Sequence, residues 1–385
     1  MVEPFKNNFN VPLIRAMAKH LARVAPHFDD QGFDDKGFVA FASHGLDDLE
    51  LKQRADRITD ALDHHLPRDF PAAAQILVKS LAPAHEQANM VVQDGPNEHG
   101  IKGWAVMAMA EFVARRGQNP EHVALSLDVL KDMTSRFSSE FAVRPFLANH
   151  RELTLKTFSR WTTDENEHVR RLVSEGTRPR LPWGMRLKAF VADPSPVVRL
   201  LEVLKDDPSE YVRRSVANNL NDIAKNHPDL VANIAQNWMA DASADRKRLI
   251  RHGLRTLIKA GNAKALQALG YAPAQIKVKR FALTTPEIVL GEALCFELEI
   301  ASTAISNQPL VIDYAVHHMR ANGHTTAKVF KWKTVQLDAE ASLNATKRHP
   351  IKPITTRRYY PGPHRVEVLI NGKGIASADF QLFIA

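Results

Sequence analysis

Ser138-Ser-Glu-Phe-Ala-Val-Arg144 opens a stretch, residues 138–225, in which one phrase occurs four times. The other copies are Asp164-Glu-Asn-Glu-His-Val-Arg170, Asp193-Pro-Ser-Pro-Val-Val-Arg199 and Asp207-Pro-Ser-Glu-Tyr-Val-Arg213. Each copy has Ser or Asp, four further residues and then Val-Arg, and each opens an apolar run with helical spacing. Ser and Asp favour helix starts because their side chains accept hydrogen bonds from the first free backbone amides. The phrase therefore predicts a repeated helical unit.

A helical unit of this size cannot bury its own apolar face, so neighbouring units must stack to form a continuous core. The phrase resembles the HEAT repeat. Its valines are 26, 29 and 14 residues apart in successive copies, which indicates a divergent array. In such arrays the arginine after the valine braces the next repeat. We expect this role for Arg144, Arg170, Arg199 and Arg213.

The composition predicts an intracellular protein with an anionic partner. At 385 residues the chain has room for two or three domains, and its net charge of +8 favours an anionic partner. A single cysteine, Cys295, excludes an internal disulfide framework and fits a reducing compartment. The chain shows no leader pattern at its start and no apolar run of the ~20 residues that cross a membrane. We therefore expect a monomer of the bacterial cytoplasm with no membrane partner.

The hydrophobic period changes along the chain, and the change predicts two domains. Apolar residues recur with helical spacing from Pro12 to about Tyr271, with short connections that carry Pro, Gly or Asn. After Pro273 the pattern alternates in short runs separated by turn residues, which is typical of a β-sandwich. We predict a mainly α protein, with a HEAT-like helical array over residues 1–271 and an immunoglobulin-like β-sandwich over residues 275–385.

Longer phrases in the helical region resemble one family in particular. They are Thr134-Ser-Arg-Phe-Ser-Ser-Glu-Phe-Ala-Val-Arg-Pro-Phe146, Trp161-Thr-Thr-Asp164, Glu167-His-Val-Arg-Arg-Leu-Val-Ser-Glu-Gly-Thr-Arg-Pro-Arg-Leu-Pro-Trp-Gly184 and Tyr211-Val-Arg-Arg-Ser-Val-Ala-Asn-Asn-Leu-Asn-Asp-Ile-Ala-Lys225. The resemblance is to the bacterial DNA alkylation repair glycosylases of the AlkC type, relatives of AlkD. One branch of that family also carries an appended immunoglobulin-like domain. The resemblance implies a monofunctional DNA glycosylase that acts in base excision repair.

The resemblance also assigns a lesion site to Glu140, Glu175 and Asp222, together with Trp183. Judged alone, three acids on helices belong to a solvated surface, and a tryptophan in Leu-Pro-Trp-Gly packs between helices. A carboxylate in a DNA groove is repelled by phosphate, so it needs a compensating role. Glycosidic cleavage supplies one, because a carboxylate stabilises the oxocarbenium-like sugar and orients the attacking water. A flat indole presented from a rigid loop packs on a damaged nucleotide.

Basic and amide side chains supply the candidate DNA contacts. Arg178 and Arg180 lie in a loop broken by Pro and Gly, so we expect phosphate contacts there. The residues from 276 onward carry 14 Lys and Arg against 9 Asp and Glu, which makes the predicted sandwich the more basic domain. Its basic loops either contact DNA or form a solvated surface, and we take DNA contact as the hypothesis. The full set of candidates is Arg171, Arg178, Arg180, Arg214, Asn218, Asn219, Lys247, Arg248, Arg251, Arg348, Arg357 and Arg358.

Two functions stay open at this stage. The first is excision of cationic N-alkylated bases, such as 3-methyladenine and 3-methylcytosine, from alkylated double-stranded DNA. The matched phrases contain no clear proton donor for a leaving base, and a cationic base departs neutral without one. The alternative is a non-catalytic HEAT scaffold that binds DNA or protein. No Cys/His cluster, Walker loop or glycine-rich dinucleotide turn is present, so we expect no metal and no cofactor.

Overall fold

The computed structural model describes residues 3–25, 32–84, 95–355 and 357–384, which fall into two compact units, Met1–Asn226 and His227–Ala385. The first unit is built from helices joined by short turns. Its helices are α1 (Val11–Val24), α2 (Asp35–Ser43), α3 (Leu51–His65), α4 (Phe70–Ser80), α5 (Ala105–Arg116), α6 (Val123–Thr134), α7 (Val143–Asn149), α8 (Arg151–Trp161), α9 (Glu167–Gly176), α10 (Lys188–Ala192), α11 (Ser195–Leu204) and α12 (Glu210–Ile223). Over the described ranges, no helix has the length and apolar character needed to span a bilayer.

The aspartates of the repeated phrase stabilise the turns that lead into the helices. Asp164, Asp193 and Asp207 each accept, through Oδ1, a hydrogen bond of 2.9–3.0 Å from the amide two residues later. These are Asx turns, which start a helix without being its cap. At α9 the N-cap residue is Asn166, whose side chain accepts from the amide of His168. Asp164, which the sequence predicts as the cap of this helix, thus forms a turn two residues before the N-cap residue instead.

The arginines of the phrase differ in what they brace. Arg170 donates to both carboxylate oxygens of Asp207 in the last phrase, at 2.6 and 2.9 Å, and so links two repeats as predicted. It also donates to the carbonyl of Asp164 in its own turn at 2.8 Å. Arg213 donates to the carbonyls of Asp207 and Pro208 at 2.6 and 2.8 Å, which closes its own turn. Bracing between repeats is therefore clear for Arg170.

The second unit joins four helices to a two-layer β-sandwich. Its elements are α13 (Pro228–Met239), α14 (Ala244–Gly253), α15 (Arg255–Lys259), α16 (Ala263–Ala268), β1 (Ile276–Leu283), β2 (Glu287–Val289), β3 (Ala293–Ser302), β4 (Gln308–Met319), β5 (Thr325–Leu337), β6 (Ser342–Pro350), β7 (Gly362–Ile370) and β8 (Lys373–Phe383). One sheet has the order β1-β3-β6 and the other β2-β8-β7-β4-β5. The strands pair antiparallel except for β2 and β8, which run parallel. The predicted mainly α fold with a C-terminal sandwich is confirmed.

The core of the sandwich forms between the two sheets, as alternation along the strands predicts. Leu294 and Phe296 of β3 face Ile312 and Val366 of the other sheet in one buried cluster. The β7–β8 hairpin turns at Asn371, with a φ of 48°, and Gly372, with a φ of 79°. Two consecutive left-handed residues form the tight turn that matches the twist of paired strands.

The helices α15 and α16 pack against the sandwich within the second unit. Leu266 and Tyr271 form a small buried cluster with Val311 of β4. The backbones of Gly261 and Gly372 lie so close that a Cβ atom on Gly261 would be 2.4 Å from the Gly372 carbonyl oxygen. The change from helix to strand lies between α16 and β1, near the predicted boundary at 271–275. Whether residues 1–271 and 275–385 fold as separate domains stays a prediction, since the compact second unit begins at His227.

Candidate active site

A cavity of about 470 Å³ lies in the first unit, between the ends of α3, α5, α9 and α12. This volume is in the range of small-molecule sites. Most of its wall is apolar and aromatic, and two carboxylates and two guanidiniums form the polar part. The lining residues are Leu51, Trp104, Met107, Phe137, Ser138, Glu140, Phe141, Arg171, Glu175, Arg178, Leu181, Pro182, Trp183 and Tyr211. The structure thus brings Glu140, Glu175 and Trp183 together around one cavity.

Glu140 is held by hydrogen bonds from a serine and an arginine. Its Oε2 accepts hydrogen bonds from the Ser138 hydroxyl, at 2.9 Å, and from the Arg171 guanidinium. Arg171 donates in turn to the Ser138 hydroxyl at 2.8 Å, and its guanidinium lies 5.1 Å from the centre of the Tyr211 ring. No described residue donates a hydrogen bond to the other oxygen of Glu140, Oε1, so it is available within a cavity that this side chain lines.

Glu175 is buried, with both of its oxygens hydrogen-bonded. Oε1 accepts from Arg178 at 2.6 Å, and Oε2 accepts from the Ser215 hydroxyl at 2.6 Å. Burial raises the pKa of the Glu175 carboxyl, but Arg171, Arg178 and Ser215 together bring that pKa below its ordinary value. The carboxylate is therefore ionised at neutral pH, and it does not act as a proton donor there.

Asp222 belongs to the same hydrogen-bond network, to which Arg178 links it. Its Oδ2 accepts from Arg178 Nε at 2.8 Å, and its Oδ1 accepts from Lys225 at 2.9 Å. The residue is 2% exposed and is not among the residues that line the cavity. Arg178 thus connects two of the three predicted carboxylates, while Arg171 connects Glu140 to Glu175.

Several predicted phosphate contacts have other partners in the structure. Arg178 is 8% exposed and donates to Glu175 and Asp222, so it is a buried bridge and not a surface cation. Arg171 has a side chain only 16% exposed and is engaged by Glu140. Arg180 donates to the side-chain oxygen of Asn226 at 2.7 and 3.1 Å. The contacts of Arg178 and Arg180 join the α9–α10 loop to residues 222 and 226, and the contact of Arg171 joins α9 to the segment before α7, which the local sequence does not reveal.

Of the candidate DNA contacts on α12, one is buried in the interior and two lie nearer the surface. Asn219 is fully buried and donates to the carbonyl of Ser174 at 2.7 Å and to the Thr177 hydroxyl at 3.1 Å. It therefore ties α12 to the end of α9, and its predicted DNA contact is incompatible with this burial. Asn218 is half-buried, whereas Arg214 is exposed and suits a phosphate contact.

Trp183 stands at the cavity mouth on a constrained loop. Its φ of 63° lies in the left-handed region, which is unusual for a residue other than glycine, and its side chain is 60% exposed. Lys52 of α3 donates a hydrogen bond to its carbonyl oxygen, and the Phe5 ring lies 6.5 Å away in an edge-on arrangement. An exposed indole held this way is presented outward, so it is not a plug between helices.

Arg144 reaches from its own repeat to the helix of the next one, the role that the repeated phrase predicts for it. It is fully buried and donates to the carbonyl of Gly176 at 2.9 Å and to that of Met185 at 2.6 Å. It thereby joins the end of α9, next to Glu175, to the loop that carries Trp183. Burial and the neighbouring Arg178 lower the pKa of its guanidinium to about 10, so it keeps its charge at neutral pH. The repeat position predicts the contact with the next repeat, but not the contact with the Met185 carbonyl in the loop that carries Trp183.

The titratable groups nearest the carboxylates are poor proton donors. Burial raises the pKa of the Tyr211 hydroxyl above its ordinary value, so the group stays protonated and weakly acidic. Burial lowers the pKa of His168, whose ring stacks edge-on against Tyr211 at 5.7 Å. A neutral imidazole is too weak an acid to protonate a leaving base at neutral pH. Among the described residues there is also no cluster of His, Cys, Asp and Glu that could hold a metal ion.

The remaining candidate DNA contacts belong to the second unit. Lys247, Arg248 and Arg251 are exposed on α14, and Arg251 donates to the Tyr271 hydroxyl at 3.1 Å. Arg348 is exposed but lies within strand β6, so its predicted place in a loop is wrong. Arg357 and Arg358 do lie between strands β6 and β7, where their guanidiniums cover the rings of Tyr359 and Tyr360 at 6.0 and 5.5 Å.

Comparisons with known proteins agree on one family. Residues 129–256 match the family model described as DNA alkylation repair enzyme, and residues 277–384 match that of the C-terminal Ig-like domain of YhaZ. The uncharacterized protein YhaZ of Bacillus subtilis is 36% identical over 98% of this chain and 99% of its own. The alkylpurine DNA glycosylase AlkC of Pseudomonas fluorescens, solved bound to DNA containing an abasic site analog, is 37% identical, with a TM-score of 0.85 over 99% of this chain and 100% of its own. The chain therefore belongs to the AlkC family of DNA alkylation repair glycosylases.

Proposed function

We propose that this chain excises cationic N-alkylated bases, with 3-methyladenine and 3-methylcytosine as the expected substrates, from double-stranded DNA and leaves an abasic site. We place this reaction on the chromosome in the bacterial cytoplasm, with the protein acting as a monomer. The observation that carries the proposal is the cavity that contains Glu140 and the ionised Glu175 but no side chain suited to donating a proton. Such a site offers fixed negative charge to the sugar and no proton to a leaving base.

The carboxylates have distinct tasks in this proposal. Cleavage of the glycosidic bond makes the sugar oxocarbenium-like, and a fixed negative charge beside it lowers the barrier. Glu175 supplies that charge, because both of its oxygens are fixed by hydrogen bonds. Glu140 accepts a hydrogen bond from the attacking water through its open Oε1. Asp222 contributes through Arg178, whose guanidinium it shares with Glu175.

The leaving base explains the choice of substrate. Both 3-methyladenine and 3-methylcytosine carry a positive charge while they are attached to the sugar, and they depart neutral. Uracil and hypoxanthine depart as anions unless they are protonated. Tyr211 keeps its proton and His168 is neutral at pH 7, so neither supports that protonation. The ionised carboxylates also attract the cationic lesion before the reaction.

The exposed basic side chains supply the DNA contacts of the proposal. Phosphate contacts need accessible cations, and they provide affinity without reading sequence. Among the candidates, one group is more accessible than Arg171 and Arg178, whose guanidiniums are bound by carboxylates. This group comprises Arg214, Lys247, Arg248, Arg251, Arg348 and Arg358, with Arg357 half-exposed beside them.

Base release from matched duplexes tests the proposal. With enzyme in excess, we expect release of 3-methyladenine and 3-methylcytosine and essentially none of uracil or hypoxanthine. Comparable rates on uracil and 3-methyladenine would contradict the mechanism. DNA binding without release of any base would instead support a non-catalytic scaffold.

Neutral variants of the acids test the assignment of roles. Glu140→Gln, Glu175→Gln and Asp222→Asn should each slow single-turnover excision roughly 10- to 1000-fold, about 1.4–4 kcal/mol of barrier. DNA binding should hold or improve, since a charge that repels phosphate is lost. Glu167→Gln is the matched control, because Glu167 lies on the same helix but bonds the Ser209 hydroxyl away from the cavity. Normal rates in the three variants would overturn the assignment.

A further inference from the structure

An exposed aromatic side chain from the start of the chain stands beside Trp183. Phe5 is 56% exposed, comparable with Trp183 at 60%. Its ring centre lies 6.5 Å from that of Trp183 and 5.8 Å from that of Trp104, which lines the cavity. Exposure of two large apolar side chains to water at a cavity mouth is unfavourable in the isolated protein. The pair therefore indicates a binding surface for another molecule.

The turn that carries Phe5 is held rigidly. Phe5 begins a short 3-10 turn, Phe5–Asn8, and the Asn8 side chain donates to the Phe5 carbonyl at 2.9 Å. The buried Arg54 donates to the carbonyls of Lys6 at 3.3 Å and Phe9 at 3.0 Å, and Phe9 is itself fully buried. The Phe5 ring is therefore fixed at the mouth and is not part of a loose terminus.

The surroundings of the two rings suit nucleic acid. The loop over residues 178–188 contains Arg180, Arg186 and Lys188 and no acidic residue, and the last two are exposed. Lys52 adds a further cation, bound to the Trp183 carbonyl and 5.9 Å from the Phe141 ring. Apolar rings flanked by cations match a base stack flanked by phosphates.

We propose that Phe5 and Trp183 form an apolar wedge that stacks against a base next to the damaged nucleotide and opens the duplex there. The proposal rests on the proposed function, because it specifies how the carboxylates reach a sugar that a regular duplex keeps within its stack. Opening a base step costs free energy, and stacking on an inserted ring offsets this cost. Phe5 is thus a DNA-contacting residue, although it lies outside the cavity lining.

Substitutions at Phe5 separate stacking on DNA from packing within the protein. Phe5→Ala should weaken binding to a duplex with an abasic-site analogue about five- to a hundredfold, as is usual for loss of one stacking side chain. Phe5→Leu should show a similar loss, because it fills space without offering a flat face, and Phe5→Trp should retain binding. Phe41→Ala is the matched control, since Phe41 on α2 is 39% exposed and stacks on His64 instead. Binding by Phe5→Leu at the wild-type level would overturn the proposal.

A duplex that is already open provides the second readout. On a fully paired duplex with 3-methyladenine, Phe5→Ala should slow excision by a similar factor. On a duplex with mismatches beside the lesion the defect should shrink, since the step is already unstacked. An equal defect on both duplexes would show that Phe5 only supports Trp183, and the wedge would be wrong. If the wild-type protein released no base, the proposed function would fail, and the abasic-analogue binding would still test the wedge.

Discussion

Two opposed effects determine the pKa of the Glu175 carboxyl: its burial and its arginine neighbours. Burial alone raises its pKa, and Arg171 and Arg178 reverse that effect. The arginines are themselves buried, so their charges are poorly screened by solvent and act strongly at short range. The ionisation of the site therefore depends on Arg178, a residue that touches both Glu175 and Asp222.

Replacement of Arg178 should raise the pH below which the rate of excision falls. In the wild-type protein the ionised form of Glu175 persists to a pH below the ordinary carboxyl pKa of 4.5, so the rate should fall only in more acidic solution. In Arg178→Gln the burial remains while one positive charge is lost, which raises the pKa of Glu175. Single-turnover rates across pH measure the shift of the acid limb. Arg180→Gln, in the same loop but bonded to Asn226, should leave the limb unchanged, and a wild-type profile in Arg178→Gln would contradict the account.

Arg144 and Arg199 occupy the same position of the repeated phrase, yet their substitution should differ sharply. Arg144→Met leaves the buried carbonyl of Gly176 and the part-buried carbonyl of Met185 without their donor, at a cost of about 2–6 kcal/mol in the free energy of unfolding. Arg199 is exposed, and Arg199→Met should change that free energy by no more than about 0.5 kcal/mol. Urea unfolding of the two variants measures both values. Equal values would show that the carbonyl contacts of Arg144 contribute little.

At the scale of helices and turns, the aspartates of the phrase allow a similar comparison. Asp207→Ala removes an Asx turn and also the two hydrogen bonds that Arg170 donates to this carboxylate, which together should cost about 2–5 kcal/mol. Asp193→Ala removes an Asx turn at an exposed position and should cost about 0.5–2 kcal/mol. Thermal and urea unfolding of both variants provide the test. A larger loss for Asp193→Ala than for Asp207→Ala would contradict this ranking.

The elements also show how far the sequence alone predicts this structure. Helical periodicity and the alternating runs after Pro273 predict both halves of the fold, because these patterns report directly on which face of an element is buried. Strand β6 was not predicted, since in Ser342–Pro350 only Ala345 is buried. The loop sequence around Arg178 predicts a phosphate contact, whereas the structure pairs this residue with Glu175 and Asp222. These partners lie 3 and 44 residues away, and only the folded chain brings both to it.

At the scale of the whole molecule, the cations of the sandwich should determine part of the salt dependence of DNA binding. Each lost phosphate contact lowers the slope of log affinity against log salt by about 0.9. Alanine at Arg348, Arg357 and Arg358 together should reduce the slope by up to about 2.7 and weaken binding at low salt. Alanine at Lys277, Lys279 and Arg280 removes the same charge from strand β1 and serves as the control. An equal effect in both triple variants would indicate net charge, without specific contacts.

The close approach of Gly261 and Gly372 limits where this chain can be recombined with a relative. A Cβ atom at Gly372 would lie 2.5 Å from the Cα atom of Gly261, so neither position tolerates a side chain while the other backbone keeps its place. A chimaera with its crossover at 271–275 takes the two positions from different parents, and both parents must supply glycine. A crossover after Asn226 inherits the pair from one parent. Chimaeras that exchange the sandwich among members of this family should therefore fold more often when α13–α16 come from the same parent as the sandwich.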